Sequence, residues 1–283
     1  MIENAPAKLN LALHVIGRLP NGYHALESLV AFTELGDTVS VEASERDRFR
    51  VVGPFAKALE GSGPNLIERA RDVLRDHIGS ASPVAIKLTK NLPVASGIGG
   101  GSSDAASTLR ALSTQWGIGA HQAEQVALNL GSDVPMCLLG QTAIATGQGE
   151  HLRPVLLPAL AQLHVVLVNP LVPVSTPNVF AALHERENPP LPRIAESFGV
   201  TEFLRWLGDT RNDLQLAACR IAPEIEDVLD ALRDAEFARM SGSGATCFGL
   251  YTNGAEAEAA RARIARDQPG WFVARTRFRE GNV

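Results

Sequence analysis

The stretch NLPVASGIGGGSSDAASTLRAL, residues 91–112, decides the fold of this 283-residue chain. Four glycines and three serines occupy positions 95–103, and an Ala/Leu-rich run follows at once. A flexible linker is not expected here, because linkers do not lie between a strand and a strong helix that has serine near its N-cap. The stretch is therefore either a dinucleotide fingerprint or a more general phosphate cradle.

The dinucleotide fingerprint is incomplete. Gly97 and Gly99 supply a G-x-G pair, but Ser102 occupies the third glycine position. No acidic residue lies about twenty positions further on, where a ribose-binding carboxylate is expected. A Walker P-loop is also excluded, because the chain contains no Gly-Lys-Ser/Thr.

A phosphate cradle agrees with the physics of the stretch. Small residues admit a polyphosphate, and the N–H groups and dipole of a helix start attract its charge. Three consecutive glycines are entropically wasteful in a loop that only turns, so a purely structural turn is the less favoured alternative.

Composition limits the possible partners. The chain is 45% hydrophobic and 20% charged with a net charge of −5, which favours neither nucleic acid nor an anionic membrane. No apolar run reaches the length of a membrane span, and the N-terminal segment lacks signal-peptide features, so we expect a cytoplasmic protein. Cys137, Cys219 and Cys247 lie far apart among apolar neighbours, which indicates buried thiols rather than metal ligands or disulfides.

Periodicity predicts the elements of the first half. Residues 6–17 alternate as a half-buried strand, so Lys8 and Asn10 project from the same face. The spacing of apolar and turn residues predicts further elements: strands at 25–32, 37–43, 83–93 and 142–147, a helix between Pro64 and Gly79, a helix from the glycine stretch, and a helix at 121–131.

The second half has a recognisable order. The proline-containing segment 152–162 marks a boundary, which predicts domains over 1–155 and 156–283. Strands at 163–169, 236–242, 246–252 and 270–278, with helices within 177–234 and at 254–267, give β-α-β-β-α-β. This is the ferredoxin-like pattern, and the fold class is α+β.

Several single residues have two interpretations at this point. Lys8 suits a solvated edge lysine or a functional cation, and Asp133 suits an N-cap or a functional carboxylate. Asp104 suits compensation of the helix dipole or a catalytic or metal role. Tyr23-His24, after an Asn-Gly turn, are surface residues or a site for a planar base. The second glycine stretch, 239–251, suits a hairpin when it is considered alone. Beside a phosphate loop, the same hairpin also suits a wall of a ligand cleft.

Three segments together resemble the GHMP kinase superfamily: PAKLNL at 6–11, PVASGIGGGSSDAA at 93–106 and MSGSGATCFGLY at 240–251. The resemblance is closer to the members that act on 4-diphosphocytidyl-2-C-methyl-D-erythritol. It rests on PAKLNLALHVIGRLPNGYH at 6–24, GSDVP at 131–135 and NDL at 212–214.

The resemblance implies a two-domain fold, with an N-terminal ribosomal protein S5 domain 2-like part, a C-terminal ferredoxin-like part and an active site in the cleft. It implies phosphorylation of the 2-hydroxyl of that small-molecule substrate, with ATP and Mg²⁺ as cofactors and with neither a nucleic acid nor a membrane partner.

The resemblance also implies site residues, position by position. The catalytic pair is Lys8 and Asp133. Two positions depart from the family pattern: Ile98 replaces an expected leucine, and Thr146 stands where many members have an arginine. The ATP positions are Asn65, Lys90, Pro93, Gly97, Ile98, Gly99, Gly100, Gly101, Ser102 and Ser103, and the substrate positions are Asn10, Tyr23, His24, Thr176 and Phe180.

Three other functions are weighed against this one. A kinase of homoserine or mevalonate is disfavoured by Tyr23-His24 and the close match at 6–24. A nucleotide sensor without catalysis has no need for both Lys8 and Asp133. A nicotinamide dehydrogenase is disfavoured by the incomplete fingerprint.

Overall fold

The computed structural model describes residues 1–61, 63 and 65–279. The chain divides into two compact units built from interleaved segments. Unit 1 combines Met1–Lys8, Leu35–Val94 and Gly99–Gly140, and unit 2 combines Leu9–Glu34, Ala95–Ile98 and Gln141–Val283. The expected domains 1–155 and 156–283 stay a prediction. The compact units are defined by contacts and interleave along the chain, so they do not test a division into consecutive domains.

Two long strands, β1 (Ile2–Arg18) and β2 (His24–Ala43), pair with each other and run through both units. In unit 1, β4 (Val84–Thr89) pairs antiparallel with Thr38–Ala43 of β2 and parallel with β3 (Arg48–Val52). The sequence analysis did not identify β3, whose residues alternate between exposed and half-buried positions and bury no apolar stripe of their own.

The prediction of two separate strands within β2 is wrong. The segment around Gly36 reads as a break because glycine is a weak strand former. In the folded chain, a Cβ on Gly36 would lie 2.7 Å from the carbonyl carbon of Ala5. Glycine is therefore required by the close approach of β1, and the strand continues through it.

The helices of unit 1 lie where the pattern predicts them. Asn65 caps the first helix by accepting from the Ile67 N–H at 3.0 Å, and Gly79 ends it in the left-handed conformation. Pro64, the predicted start signal, lies outside the described residues. The helices are α1 (Leu66–Ile78), α2 (Gly100–Trp116), α3 (Ala120–Leu130) and α4 (Val134–Leu139).

Unit 2 contains the predicted ferredoxin-like part. Its four-stranded antiparallel sheet has the order β10-β7-β9-β8, which is the order that a β-α-β-β-α-β chain adopts, so this prediction is confirmed. This sheet contains β7 (His164–Asn169), β8 (Phe237–Met240), β9 (Cys247–Tyr251) and β10 (Phe272–Arg277), whereas β5 (Ala143–Gly147) pairs with β6 (His151–Pro154) and with Leu26–Val30 of β2. The helices are α5 (Thr176–Ala181), α6 (Val200–Gly208), α7 (Gln215–Ile221), α8 (Glu224–Ala231) and α9 (Gly254–Asp267).

The buried residues agree with the compositional expectations. Cys137, Cys219 and Cys247 are buried free thiols, and burial raises the pKa of each. Cys247 and Val166 belong to the apolar core that α8 and α9 form with the four-stranded sheet. Across the part of the chain that the structure describes, every helix is too short or too polar to cross a membrane.

Candidate active site

The glycine loop ends where α2 begins, and this junction leaves the helix start open. Gly99 is the N-cap residue, with a left-handed φ of 65°. No side chain of the described residues caps this end, and the first helical bond runs from the Ser103 N–H to the Gly99 carbonyl at 2.8 Å. The N–H groups of Gly100, Gly101 and Ser102 precede that bond, so they have no acceptor within the helix and can bind an anion.

Lys8 and Asp133 form an ion pair beside this loop. Lys8 Nζ donates to Asp133 Oδ2 at 2.8 Å. The side chain of Lys8 is buried, whereas that of Asp133 is 37% exposed. The pair therefore presents a carboxylate to solvent while the ammonium that orients it is held inside the protein.

The edge-lysine interpretation is wrong, whereas the N-cap interpretation is correct for the position of Asp133 but not for its side chain. Lys8 is not a solvated edge lysine, because its residue is only 5% exposed. Asp133 does occupy the N-cap position of α4, but within the described structure its carboxylate caps no N–H. The carboxylate points instead to Lys8, which lies 125 positions away in the sequence.

Gly99 packs directly on the stem of Lys8. A Cβ on this glycine would lie 3.2 Å from Lys8 Cβ and 3.3 Å from Lys8 Cε. These contacts are closer than the optimum of about 3.5–4.0 Å between carbon atoms. The loop backbone therefore lies against the lysine that orients Asp133, and glycine is needed both for the conformation and for the space.

Lys90 takes part in a second, fully buried ion-pair cluster. Its Nζ donates to Asp37 Oδ2 at 2.5 Å and to Asp104 Oδ2 at 2.8 Å, and all three residues are buried. Its main-chain N–H donates to the Val52 carbonyl at 2.7 Å, and its carbonyl accepts from the Phe55 N–H at 3.2 Å. The ATP role of Lys90 stays a prediction, and its ammonium is already bound by two carboxylates.

The protonation of this cluster follows from its burial. Burial raises the pKa of Asp104, and the nearby Asp37 carboxylate acts in the same direction against the Lys90 charge. Burial acts to lower the pKa of Lys90, but the charges of Asp104 and Asp37 outweigh it and raise that pKa. Lys90 therefore stays charged, and Asp104 is its partner rather than a group that compensates the helix dipole in solvent.

In unit 2, the second glycine stretch packs on the beginning of the first. It turns between β8 and β9, as the hairpin interpretation predicts. The Thr246 N–H donates to the Ser96 carbonyl at 3.1 Å, and the Ser241 hydroxyl donates to the Gly97 carbonyl at 3.1 Å. A Cβ on Gly97 would lie 2.6 Å from the carbonyl oxygens of Ser241 and Gly244, so a side chain there would displace main chain.

Asn10 lies in the same hydrogen-bonded group. Its N–H donates to Ser241 Oγ at 3.0 Å, and its Nδ2 donates to Ser28 Oγ at 2.8 Å. Its Oδ1 is buried, and the described residues offer it no hydrogen-bond partner. Because burying an unpaired acceptor is costly, this oxygen fits a ligand donor.

Asn212 anchors the second glycine stretch. Its Nδ2 donates to the carbonyls of Met240 and Gly242, both at 2.8 Å, and its Oδ1 accepts from the Leu214 N–H at 3.0 Å. The sequence analysis used this asparagine within the NDL motif but gave it no role. Its main-chain partners carry no sequence signal, so only the folded structure reveals this role.

The predicted substrate residues Thr176 and Phe180 both belong to α5. Thr176 Oγ1 lies 2.7 Å from Ser243 Oγ. The rings of Phe180 and His24 are stacked, with centroids 5.1 Å apart and an angle of 20° between the planes. Burial, with the charges of Arg18 and Arg186, lowers the pKa of His24, so a neutral imidazole is favoured there.

Tyr23 precedes the stacked histidine and is 63% exposed. Its N–H donates to Asn21 Oδ1 at 3.1 Å, which fixes the turn before it. An exposed phenol beside a stacked imidazole and phenyl ring offers aromatic surface to a planar ligand. The contact of Tyr23, His24 and Phe180 with a ligand stays a prediction.

The remaining predicted ATP positions differ in the side-chain and main-chain groups that they leave available to a ligand. The Oδ1 of Asn65 is used in capping α1, and the side chain of Ile98 is completely buried, so Ile98 has only its main chain to offer. Ser103 Oγ is buried, and no described residue serves as its hydrogen-bond partner. Pro93 and Ser102 flank the three glycines and complete the predicted loop.

The residues present fit Mg²⁺ only together with phosphate oxygens. No group of three or more His, Cys, Asp and Glu side chains among the described residues is arranged to hold a metal ion. Mg²⁺ usually takes one or two protein ligands and completes its shell with water and substrate phosphates. Of the predicted site residues, Asp133 offers a partly exposed carboxylate, and Ser103 offers a buried hydroxyl that has no hydrogen-bond partner among the described residues.

Two family models match the chain. The model for the GHMP kinases N terminal domain matches residues 65–141, which include the glycine loop and Asp133. The model for the GHMP kinases C terminal domain matches residues 194–269, which include the second glycine stretch.

Individual proteins give a closer comparison. A 4-diphosphocytidyl-2-C-methyl-D-erythritol kinase of Chelativorans sp. (strain BNC1) is 55% identical over 281 residues, with 97% of this chain and 95% of the relative covered. A crystal structure of 4-(cytidine 5'-diphospho)-2C-methyl-D-erythritol kinase has a TM-score of 0.79 at 33% identity and covers 98% of this chain and 99% of its own. A homoserine kinase from Cytophaga hutchinsonii, with a TM-score of 0.72 at 17% identity over 99% of this chain and 95% of its own, shares the fold alone.

Proposed function

This chain belongs to the 4-diphosphocytidyl-2-C-methyl-D-erythritol kinases of the GHMP superfamily, and we propose that it transfers the γ-phosphoryl group of ATP to the 2-hydroxyl of that substrate. The step belongs to the methylerythritol phosphate route to isoprenoid precursors. The observation that carries the proposal is the Lys8–Asp133 pair, packed against Gly99 at the open start of α2. We place the enzyme in the cytoplasm, with small molecules rather than nucleic acid or membrane as partners.

The chemical step requires a hydroxyl to attack phosphorus while the bond to ADP breaks. A kinase contributes mainly by positioning the reactants and stabilising charge. Asp133 accepts the hydroxyl proton as the new oxygen–phosphorus bond forms. Lys8, held 2.8 Å from Asp133 Oδ2, orients that carboxylate and stabilises the negative charge of the transferring group.

The start of α2 binds the triphosphate. The N–H groups of Gly100, Gly101 and Ser102 have no helical acceptor, and the helix dipole favours anions at this end. Mg²⁺, when bound, would offset charge on the phosphate oxygens, and the Ser103 hydroxyl at the start of α2 would help to hold it together with water and those oxygens.

The cytidine end supplies binding energy far from the reacting atoms. Tyr23 and the stacked pair His24–Phe180 offer aromatic faces to a nucleobase. Asn10 offers an unpaired Oδ1, and Thr176 offers a hydroxyl. Such remote interactions hold the substrate so that its hydroxyl stays in line for transfer.

One assay tests the function against its closest alternative. The protein is incubated with ATP and Mg²⁺ and, in separate reactions, with 4-diphosphocytidyl-2-C-methyl-D-erythritol, homoserine or mevalonate. The phosphorylated product is followed by ³¹P NMR, which also identifies the oxygen that carries the new phosphate. We expect turnover of the cytidyl substrate alone. Turnover of homoserine or mevalonate without turnover of the cytidyl substrate would refute the proposal.

A further inference from the structure

The buried cluster of Asp37, Lys90 and Asp104 joins the two ends of the glycine loop. On the entry side, Asp37 Oδ1 accepts the N–H groups of Asn91 at 2.5 Å and Leu92 at 2.8 Å. On the exit side, Asp104 lies in the first turns of α2. Lys90 Nζ donates to both carboxylates, at 2.5 Å and 2.8 Å, and so closes the loop at its base.

The cluster also touches the helix start. A Cβ on Gly100 would lie 3.2 Å from Lys90 Nζ and 3.8 Å from Asp37 Oδ2. The first residue of α2 therefore rests on the ammonium group. Because Gly100 lies against Lys90 Nζ, we expect a displaced Lys90 to disturb the N–H donors of this turn.

We propose that Asp37, Lys90 and Asp104 are positioning residues for the nucleotide, which hold the glycine loop in the geometry that binds the triphosphate. Their side chains do so without touching ATP, because the Lys90 ammonium is bound in the interior by the carboxylates of Asp37 and Asp104. The inference rests on the proposed function, in which this loop binds ATP.

Stability alone does not explain such a cluster. Removing charges from water costs several kcal/mol for each ion, and well-packed apolar residues often stabilise a fold as well or better. A fixed geometry is what an apolar cluster would not supply, because dispersion contacts have no preferred direction whereas charge-assisted hydrogen bonds do. The cluster is therefore suited to holding loop donors in place, where a misplacement of about 1 Å costs as much as 10²-fold in rate.

Two variants of Asp104 separate geometry from charge. Asp104→Glu keeps the charge but moves the carboxylate outward by one methylene. Asp104→Asn keeps the shape and an oxygen that accepts from Lys90 but removes the charge. Asp47→Asn is the matched control, because Asp47 joins Arg75 to the Val84 N–H within the same unit and none of these residues belongs to the glycine loop.

The readout is the Kd of a non-hydrolysable ATP analogue with Mg²⁺, measured by calorimetry, together with the KM of each substrate. We expect Asp104→Glu to raise the nucleotide Kd about tenfold, which is about 1.4 kcal/mol, and Asp104→Asn to raise it by less than about threefold. The KM of the cytidyl substrate should stay within about twofold in both variants, and Asp47→Asn should leave the Kd and both KM values unchanged.

The reverse order of the two Asp104 variants would overturn the proposal, because charge rather than geometry would then control binding. So would an unchanged Kd in folded Asp104→Glu, or equal rises in KM for both substrates. If Asp104→Glu does not fold, Asp37→Asn replaces it as the test variant. Its amide keeps one oxygen for the Asn91 and Leu92 N–H groups but turns an NH₂ toward the Lys90 ammonium. We expect the same selective rise in the nucleotide Kd. Wild-type protein that binds the analogue but does not phosphorylate the cytidyl substrate would refute the proposed function alone, because the Kd comparison remains valid.

Discussion

Gly99→Ala perturbs a residue at which the glycine loop lies against the proposed catalytic lysine. The backbone at Gly99 has a φ of 65°, and alanine in the left-handed region costs about 1–2 kcal/mol. We therefore expect the free energy of unfolding to fall by about that amount. Urea denaturation at pH 7, followed by circular dichroism, measures it.

The same substitution should also slow the reaction. The new methyl group would lie 3.2 Å and 3.3 Å from carbons of the Lys8 side chain, so the stem must move by a few tenths of an ångström. The bond from Lys8 Nζ to Asp133 Oδ2, now 2.8 Å, is lengthened as a result. Hydrogen bonds to charged groups contribute about 1.5–3 kcal/mol, and losing about half of this lowers kcat about tenfold.

Gly101→Ala is the matched control for the stability measurement. It lies two positions further along the same glycine run, inside α2, and its Cβ would lie 3.6 Å from Leu66 Cδ1, an ordinary contact. Alanine in a helix is favoured over glycine by up to about 1 kcal/mol, so the free energy of unfolding should stay the same or rise. Equal losses of stability in the two variants, or an unchanged kcat in Gly99→Ala, would refute the reasoning.

Three further predictions test other parts of the site and the fold. Asp133→Asn should lower kcat on the order of 10²-fold, since the amide cannot accept the proton, while calorimetry shows an unchanged Kd for ATP; near-normal turnover would remove Asp133 from its role. Tyr23→Ala should raise KM for the cytidyl substrate and leave KM for ATP nearly unchanged in steady-state assays; equal changes would indicate a structural tyrosine. The hydrogen bond from Arg75 lowers the pKa of Asp47 to about 2, so the stabilisation by ionised Asp47, present above the unfolded pKa of 3.8, is lost as pH falls toward 2. Urea denaturation should show Asp47→Asn about 1 kcal/mol less stable than wild type at pH 7 after allowance for solvent screening. A stability difference that does not shrink between pH 4 and pH 2.5 would contradict the lowered pKa of Asp47.

Local physics allowed much of the fold to be predicted from sequence. The helix α1 ends at the predicted Gly79 in the left-handed conformation, and this signal acts within one turn of the chain. The strands and helix of the C-terminal half follow the predicted β-α-β-β-α-β order, because apolar spacing and turn residues are local features. The glycine loop at the start of α2 was predicted for the same reason, since its glycines and the helix they start are contiguous; its binding of phosphate stays a prediction.

The charged groups of the site were beyond local reasoning. Asp133 was predicted equally well as an N-cap or as a functional carboxylate, and its contact with Lys8 spans 125 positions. Asp37 carried no signal at all, and Asp104 and Lys90 were not predicted to meet. The break predicted within β2 was wrong for a related reason. Gly36 is required by the close approach of β1, and the residues next to it in the sequence do not reveal that approach.

The sequence by itself determined the order of the elements in the C-terminal half and the glycine loop that starts α2, and the family resemblance identified the residues that it assigns to catalysis. Only the tertiary structure decided which charges face each other: Lys8 with Asp133, and Lys90 with Asp37 and Asp104. The physical reason is that propensity and periodicity act over a few residues, whereas an ion pair depends on distance in space and on the burial that surrounds it. The loop in residues 91–112 can be predicted from its glycines, whereas the charged cluster beneath it forms only when the chain folds.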